Sequence, residues 1–221
     1  QDMVDALLLA RKEWQRLFGP GTAPFTYIAP NNHIHRLGKD AVRIAFPEAR
    51  VLAAQYMDER TDAVDIEGHE FGPDPDVPHF VNMPRTSSEF FMGEHNNIAI
   101  HDGIMLAGVW THFVHPDDVY DPDRNGGFNW AQLNLESRKM LEHVGTSYPW
   151  LKSKTARDAY QDIIRYRSGA FSTRLIEGGL EVNLGDAAGT PTPFVVRIDP
   201  EKRIDSVVNG KILHSYEKLG Y

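Results

Sequence analysis

Apolar residues recur on a helical period from the first turn of the chain. Val4, Leu7, Leu8, Trp14, Leu17 and Phe18 share one face of a helix predicted over 2–18, and Gly19-Pro20-Gly21 stops it. A chain that opens on Gln1 already inside a formed helix is expected to have lost its natural beginning. The period then changes. "FTYIAP" (25–30) predicts a short buried strand, "RLGKDAVRIAF" (36–46) a helix and "RVLAAQY" (50–56) a second strand, a succession that points to a parallel α/β unit. Residues 58–93 are irregular and rich in Asp, Glu and Pro, with "VDIEGHEF" as a candidate strand and "GPDPDVP" as a loop. A loop of that length is usually functional or mobile.

"NNIAIHDGIMLAG" predicts a helix that leads into a strand, "GVWTHFVH" (108–115), and then a loop ending at an N-cap, Asn129. Two amphipathic helices follow. Trp130, Leu133, Met140, Leu141 and Val144 share a face of the first; "TARD" (155–158) starts the second, with Ala159, Tyr160, Ile163 and Ile164 as its apolar side. The patterning changes again at about residue 169. "LEVNL" alternates strictly, "PFVVRI" is strand-like, and Asn209-Gly210 between two apolar runs signals a tight hairpin. Residues 1–168 are therefore expected to form an α/β domain and 169–221 a small antiparallel β unit.

Composition narrows the function classes. The chain has 221 residues, 41% hydrophobic and 24% charged, enough for one sizeable core. Net charge is −8, and no Lys/Arg cluster is interleaved with aromatics, which argues against a nucleic-acid partner. The longest apolar run, "ALLLA" (6–10), is far short of a bilayer span, so no membrane span is expected. With ten histidines and no cysteine, disulfides and thiolate zinc sites are excluded; His, Asp and Glu are left as the candidate metal ligands.

The densest chemistry lies in "GVWTHFVHPDDVYD" (108–121). On a strand, side chains alternate, so Trp110, His112 and Val114 face one way and Thr111, Phe113 and His115 the other. Chemistry in parallel α/β folds collects where strands end, and His115 is the last strand residue before Pro116. His115 is therefore the candidate active-site residue. His112 lies deeper and fits either a catalytic role or a core histidine bonded to backbone.

"FTYIAPNN", "ARVLAAQYM", "GVWTHFVHPDDVYD" and "YPWLKSKTARDAY" together resemble the C-terminal half of polysaccharide deacetylases of the carbohydrate esterase type. The likeness is to the deacetylase region of the large bacterial proteins that modify Pel-type biofilm exopolysaccharide, and it covers residues 25–167. It implies a partial distorted (β/α) barrel and hydrolysis of N-acetyl groups on a hexosamine polymer, assisted by a divalent metal, zinc by the resemblance. His115 would be the general acid that protonates the leaving amine, with Phe113 in the acetyl pocket. Tyr27, Asn31, Asn32 and Trp110 would line the substrate groove, with Arg85 and His112 as further catalytic candidates. In that family the aspartate pair and the two-histidine metal motif lie before the position of "FTYIAP", so the metal ligands are expected upstream of this chain. The missing upstream part of the protein and other exopolysaccharide biosynthesis proteins would be partners, in the periplasm or outside the cell.

Candidate substitute ligands within the chain are "HIH" (33–35), His69 with Glu67 or Glu70, and His95 with His101. "HIH" could chelate from a strand or loop or be a solvated loop, whereas the other two sets offer pairs without recognisable spacing. Arg85 fits orientation of a carboxylate, binding of sugar hydroxyls or a surface ion pair. Two other classes stay open. A glycoside hydrolase would draw its two carboxylates from Asp65, Glu67, Glu70, Asp117 and Asp118. A non-catalytic carbohydrate-binding module would stack sugars on Trp110, Trp130, Tyr148 or Trp150.

Overall fold

The computed structural model describes residues 1–55, 71–169, 171–185, 195–199, 201–213 and 215. Thr26–His33 (β1) and Val51–Gln55 (β2) run parallel, with Thr26 opposite Val51 and Ile28 opposite Ala53. Parallel neighbours need a crossover, and the helix Arg36–Ala45 (α2) supplies it. Two short strands complete the sheet: Gly72–Pro73 (β3) and Val81–Asn82 (β4). The order is β1-β2-β4-β3, parallel except for the β3–β4 pair. β1 and β3 are the edges, where Pro30 and Pro73 cost fewest ladder bonds.

Alternation along the strands sends side chains into two separate cores. Leu52 and Phe80 point to the α2 side and join Ala29, Val42, Ala45 and Phe46. Val51, Val81 and Met83 point the other way and meet Ile163 of the helix Ala156–Ser168 (α5), with Tyr160 and Ile164 alongside. The sheet is thus the middle of three layers. Leu52 and Phe80 are fully buried, and burial of one such side chain stabilises by roughly 1.5–3 kcal/mol. The first helix, Asp2–Phe18 (α1), matches the predicted bounds but buries no residue. It lies on α2 through Leu7 and through Arg11, which donates to the carbonyl of Ala45 at 2.9 Å and pairs with Glu48. Leu17 and Phe18, expected on the packed face, are about 60% exposed.

A buried polar network ties α2 to the sheet. Lys39 Nζ lies 2.7 Å from Asp74 and 3.1 Å from Asp76. Asp74 also accepts from the N–H groups of Asp76 and Val77 and from Asn82 Nδ2, at 2.8–3.1 Å. A buried charge needs this degree of pairing to persist.

Beyond β4 come Ser87–Ser88 (β5), the helix Glu94–Asp102 (α3) continued by a π-helical turn Gly103–Ala107, and His112–Phe113 (β6). The strand predicted over 108–115 is thus only two residues long, paired in parallel with β5. Behind it, α3 packs on the helix Trp130–Ser147 (α4) through Ile100, Ile104, Met140, Val144 and Tyr148. Asn129 caps α4, as the sequence predicts, and Gln132 adds a reciprocal bond to the Asn129 N–H. Trp130 and Leu141, predicted on the buried face, are more than half exposed.

The described strands form an open four-stranded sheet and two separate strand pairs, and barrel closure is not seen among the described residues. The C-terminal β unit is a hairpin of Ser172–Ile176 (β7) and Gly179–Asn183 (β8). Residues 195–198 of "PFVVRI" and the Asn209-Gly210 segment carry no strand. Every residue of β7 is exposed, and strands gain stability only by covering an apolar face. The candidate strand "VDIEGHEF" lies outside the described residues except for Phe71. Among the described residues no helix is long and apolar enough to cross a membrane.

Candidate active site

Short as it is, β6 preserves the predicted alternation. The rings of Trp110 and His112 lie 5.6 Å apart on one side, and those of Phe113 and His115 lie 5.4 Å apart on the other. The two sides differ in chemistry. On the inner side, Trp110 Nε1–H donates to Ser87 Oγ at 2.7 Å, and Ser87 Oγ lies 2.9 Å from His112 Nδ1. His112 Nε2 is 2.8 Å from the carbonyl of Glu89. A carbonyl only accepts, so Nε2 carries the proton and Nδ1 accepts from the serine hydroxyl. Burial pushes the His112 pKa down, opposed by its bond to Glu89. His112 is a neutral histidine with both ring nitrogens engaged, and Trp110 packs behind it against the Ile100–Met140 core. Neither lines the cleft described below.

The outer side opens into a cleft of about 370 Å³. Glu89, Phe91, Phe113, His115, Asp123 and Arg124 are prominent in its lining. Asp118, on the turn Pro116–Val119, a 3-10 helix begun by Pro116, also lines it. The His115 N–H donates to Asp118 Oδ2 at 3.3 Å, and Asp118 N–H donates back to the His115 carbonyl at 3.0 Å. Asp118 is buried, and Arg124 Nη2 sits 2.7 Å from its Oδ1. Oδ1 accepts no hydrogen bond of normal geometry, so this contact acts through charge. His115 stays 42% exposed, with Nδ1 3.9 Å from Asp117. That distance orients the ring without fixing it.

Arg85 joins three strand ends. It follows β4, its guanidinium lies 4.2 Å over the ring of Phe113 in β6, and Nη2 donates to Asn32 Oδ1 near the end of β1. A register shift between Ile28 and His33 accompanies that contact, with Asn32 at φ +63, a conformation asparagine tolerates. Arg85 Nε is buried without a partner, and burial lowers the Arg85 pKa. Among the described residues no carboxylate pairs with it. Of the predicted groove residues, Asn32 and Phe113 gather around Arg85. Tyr27 instead packs on the α2 core, where burial raises its phenol pKa. Asn31 belongs to β1 beside Asn32.

His115, Asp117 and Asp118 place ligand-type atoms within 4.8 Å of one another. Their chemistry, one imidazole and two carboxylates, is of the kind zinc accepts. The fit fails on charge: Arg124 already sits against Asp118 and lies 3.9 Å from Asp117, so a cation would have to displace the guanidinium. Elsewhere, His35 Nδ1 caps α2 by accepting from Leu37 N–H, and His101 bonds Tyr148 while its ring meets that of His143. His69, Glu67, Glu70 and Asp65 lie outside the described residues. Tyr148 and Trp150 pack on the α3–α4 core, and Trp130 meets Phe90 edge-on at 6.0 Å.

Sequence patterning missed Glu89, Phe91, Asp123 and Arg124 because they lie on turns without periodicity; "RNGG" (124–127) was the only local signal. The model of a family described as an uncharacterised protein conserved in bacteria, DUF2194, matches residues 1–220. No curated protein matches the chain, and no solved structure does.

Proposed function

We propose that this chain, which belongs to the uncharacterised bacterial family DUF2194, carries part of the active site of a carbohydrate de-N-acetylase. The substrate is a hexosamine-containing exopolysaccharide bearing N-acetyl groups, met in the periplasm or outside the cell. The observation that carries this reading is the position of His115: half-exposed in a cleft after β6, beside Phe113, with Arg85 bridging the ends of β1 and β4. Amide hydrolysis stalls unless the departing nitrogen is protonated, and an imidazole steered by a nearby carboxylate suits that task. Phe113 offers an apolar wall for the acetyl methyl. Arg85 and Asn32 offer hydrogen bonds to sugar hydroxyls or to a carboxylate.

In this reading the three-layer sheet and the β5–β6 pair are the C-terminal part of a distorted (β/α) barrel. The divalent metal that the resemblance implies is assigned to ligands other than the His115–Asp118 turn, where Arg124 holds the place of a cation. Other exopolysaccharide biosynthesis proteins are its partners.

The test is acetate release from N-acetylated hexosamine oligomers by the full natural protein supplied with zinc. His115→Ala should lower turnover by about 10²–10⁴-fold while leaving the melting temperature in place. Reducing ends formed without acetate would instead assign a glycoside hydrolase, and retention on the polymer with neither product a binding module. Either result overturns the proposal.

A further inference from the structure

Glu89 occupies a conformation that glutamate avoids. Its φ is +76°, where a β-carbon is strained and glycine is not. Strain of this kind persists only where the surroundings over-determine it, and here two side chains do so. His112 Nε2–H holds the Glu89 carbonyl at 2.8 Å. On the preceding side, buried Asn96 donates to the carbonyls of Ser88 and Phe91 at 2.6 and 3.2 Å and accepts from Ser88 N–H at 3.3 Å. The turn is thereby fixed from both flanks, and Glu89 itself lines the His115 cleft.

Charge then says what such a carboxylate is for. Among the described residues that line the cleft, Arg124 is the one guanidinium, and it is already engaged by Asp118 and Asp117, while Arg85 stacks on Phe113 from outside that lining. Glu89 has no cationic partner among the described residues, and Asp123 adds a second carboxylate to the same lining. The cleft therefore carries excess negative charge and favours a cationic ligand group.

We infer that Glu89 is the specificity-determining carboxylate of this cleft and binds a protonated amine of a hexosamine unit, with His112 and Asn96 as the positioning residues that hold it there. This rests on the carbohydrate reading above, and it adds a charge preference that His115 chemistry alone does not require. The amine is either that of the unit already hydrolysed or that of a neighbouring unit.

The experiment is calorimetric titration of the full natural protein, near neutral pH and low salt, with glucosamine and its tetramer and with N-acetylglucosamine and its tetramer. The glucosamine tetramer should bind, and Glu89→Gln should weaken it about tenfold or more with little change for the acetylated tetramer. Binding of the monomer amine with the same dependence assigns the hydrolysed unit; selectivity in the tetramer alone assigns a neighbour. Glu89→Gly should lose the same selectivity yet melt about 2–4 °C higher, because glycine relieves the strain. His112→Ala should reduce the preference for amine over acetamide, with partial rescue by His112→Gln, whose amide can still donate to the Glu89 carbonyl. Equal losses for both tetramers, no loss in Glu89→Gln, or a lower melting temperature for Glu89→Gly would overturn the inference. His115→Ala separates the two proposals. It should lower acetate release by about 10²–10⁴-fold and keep the amine selectivity, whereas wild-type protein that shows selectivity without acetate release refutes only the deacetylase reading.

Discussion

Two polar clusters in this protein use the same residue types to opposite ends. The Lys39–Asp74–Asn82 network under α2 is buried, with Lys39 2% exposed and each Asp74 contact within 3.1 Å. The His115–Asp117–Asp118–Arg124 cluster has one buried member, Asp118, and two contacts as long as 3.9 Å. The first cluster has no freedom left and fixes a helix to a sheet. The second keeps an imidazole accessible and loosely steered, which a structural tie does not need and a reacting group does. Burial and contact length, more than residue identity, separate scaffold from candidate chemistry.

The contrast is broken most forcefully at Lys39. Lys39→Met leaves Asp74 charged and buried without its cation, and urea unfolding should show a loss of about 3–5 kcal/mol. At the cleft, only the buried member should approach that. Asp118→Asn removes the charge facing Arg124 and weakens the acceptor for His115 N–H, and the same assay should show about 1–3 kcal/mol.

A smaller effect belongs to His112, which shares β6 with the cleft but sits half-buried on the other side. Its folded pKa lies below the unfolded value, mainly through burial, so the unfolded state binds more protons as pH falls. The stability that His112 contributes is therefore complete above about pH 6.5 and lost as pH drops from there through the folded pKa. His79 has the same sign through burial and Arg50. Urea midpoints between pH 8 and pH 5 should fall, and His112→Gln should flatten that slope, whereas an unchanged slope would assign the loss to other groups. The smallest effect is expected of His115→Ala. Exposed as it is, its removal should change stability by no more than about 0.5 kcal/mol, and a larger loss would return His115 to the scaffold.

Much of the scaffold was legible because it repeats. α1, α2, α4 and α5 have periodic apolar faces or caps, and β1 and β2 have apolar runs of ordinary length. β3, β4 and β5 are two residues each, too short for any period to register. The "PFVVRI" and Asn209-Gly210 signals show the converse failure: strand-like patterning had no apolar face to cover, and no strand formed among the described residues there. At the candidate site, the opposite orientation of His112 and His115 followed from alternation alone, and so did the pairing of Phe113 with His115.

The sequence by itself determined the elements with a period, the parallel crossover through α2, and which side of β6 each histidine takes, because these depend on neighbours along the chain. Tertiary structure alone decided that Arg85 would reach both Asn32 and Phe113, that Arg124 would sit against Asp118 where a metal would otherwise need to bind, and that Glu89 would be held at φ +76° in the cleft. Those outcomes rest on contacts between residues as many as 53 positions apart. They arise only once burial has fixed the layers, and no local pattern encodes them.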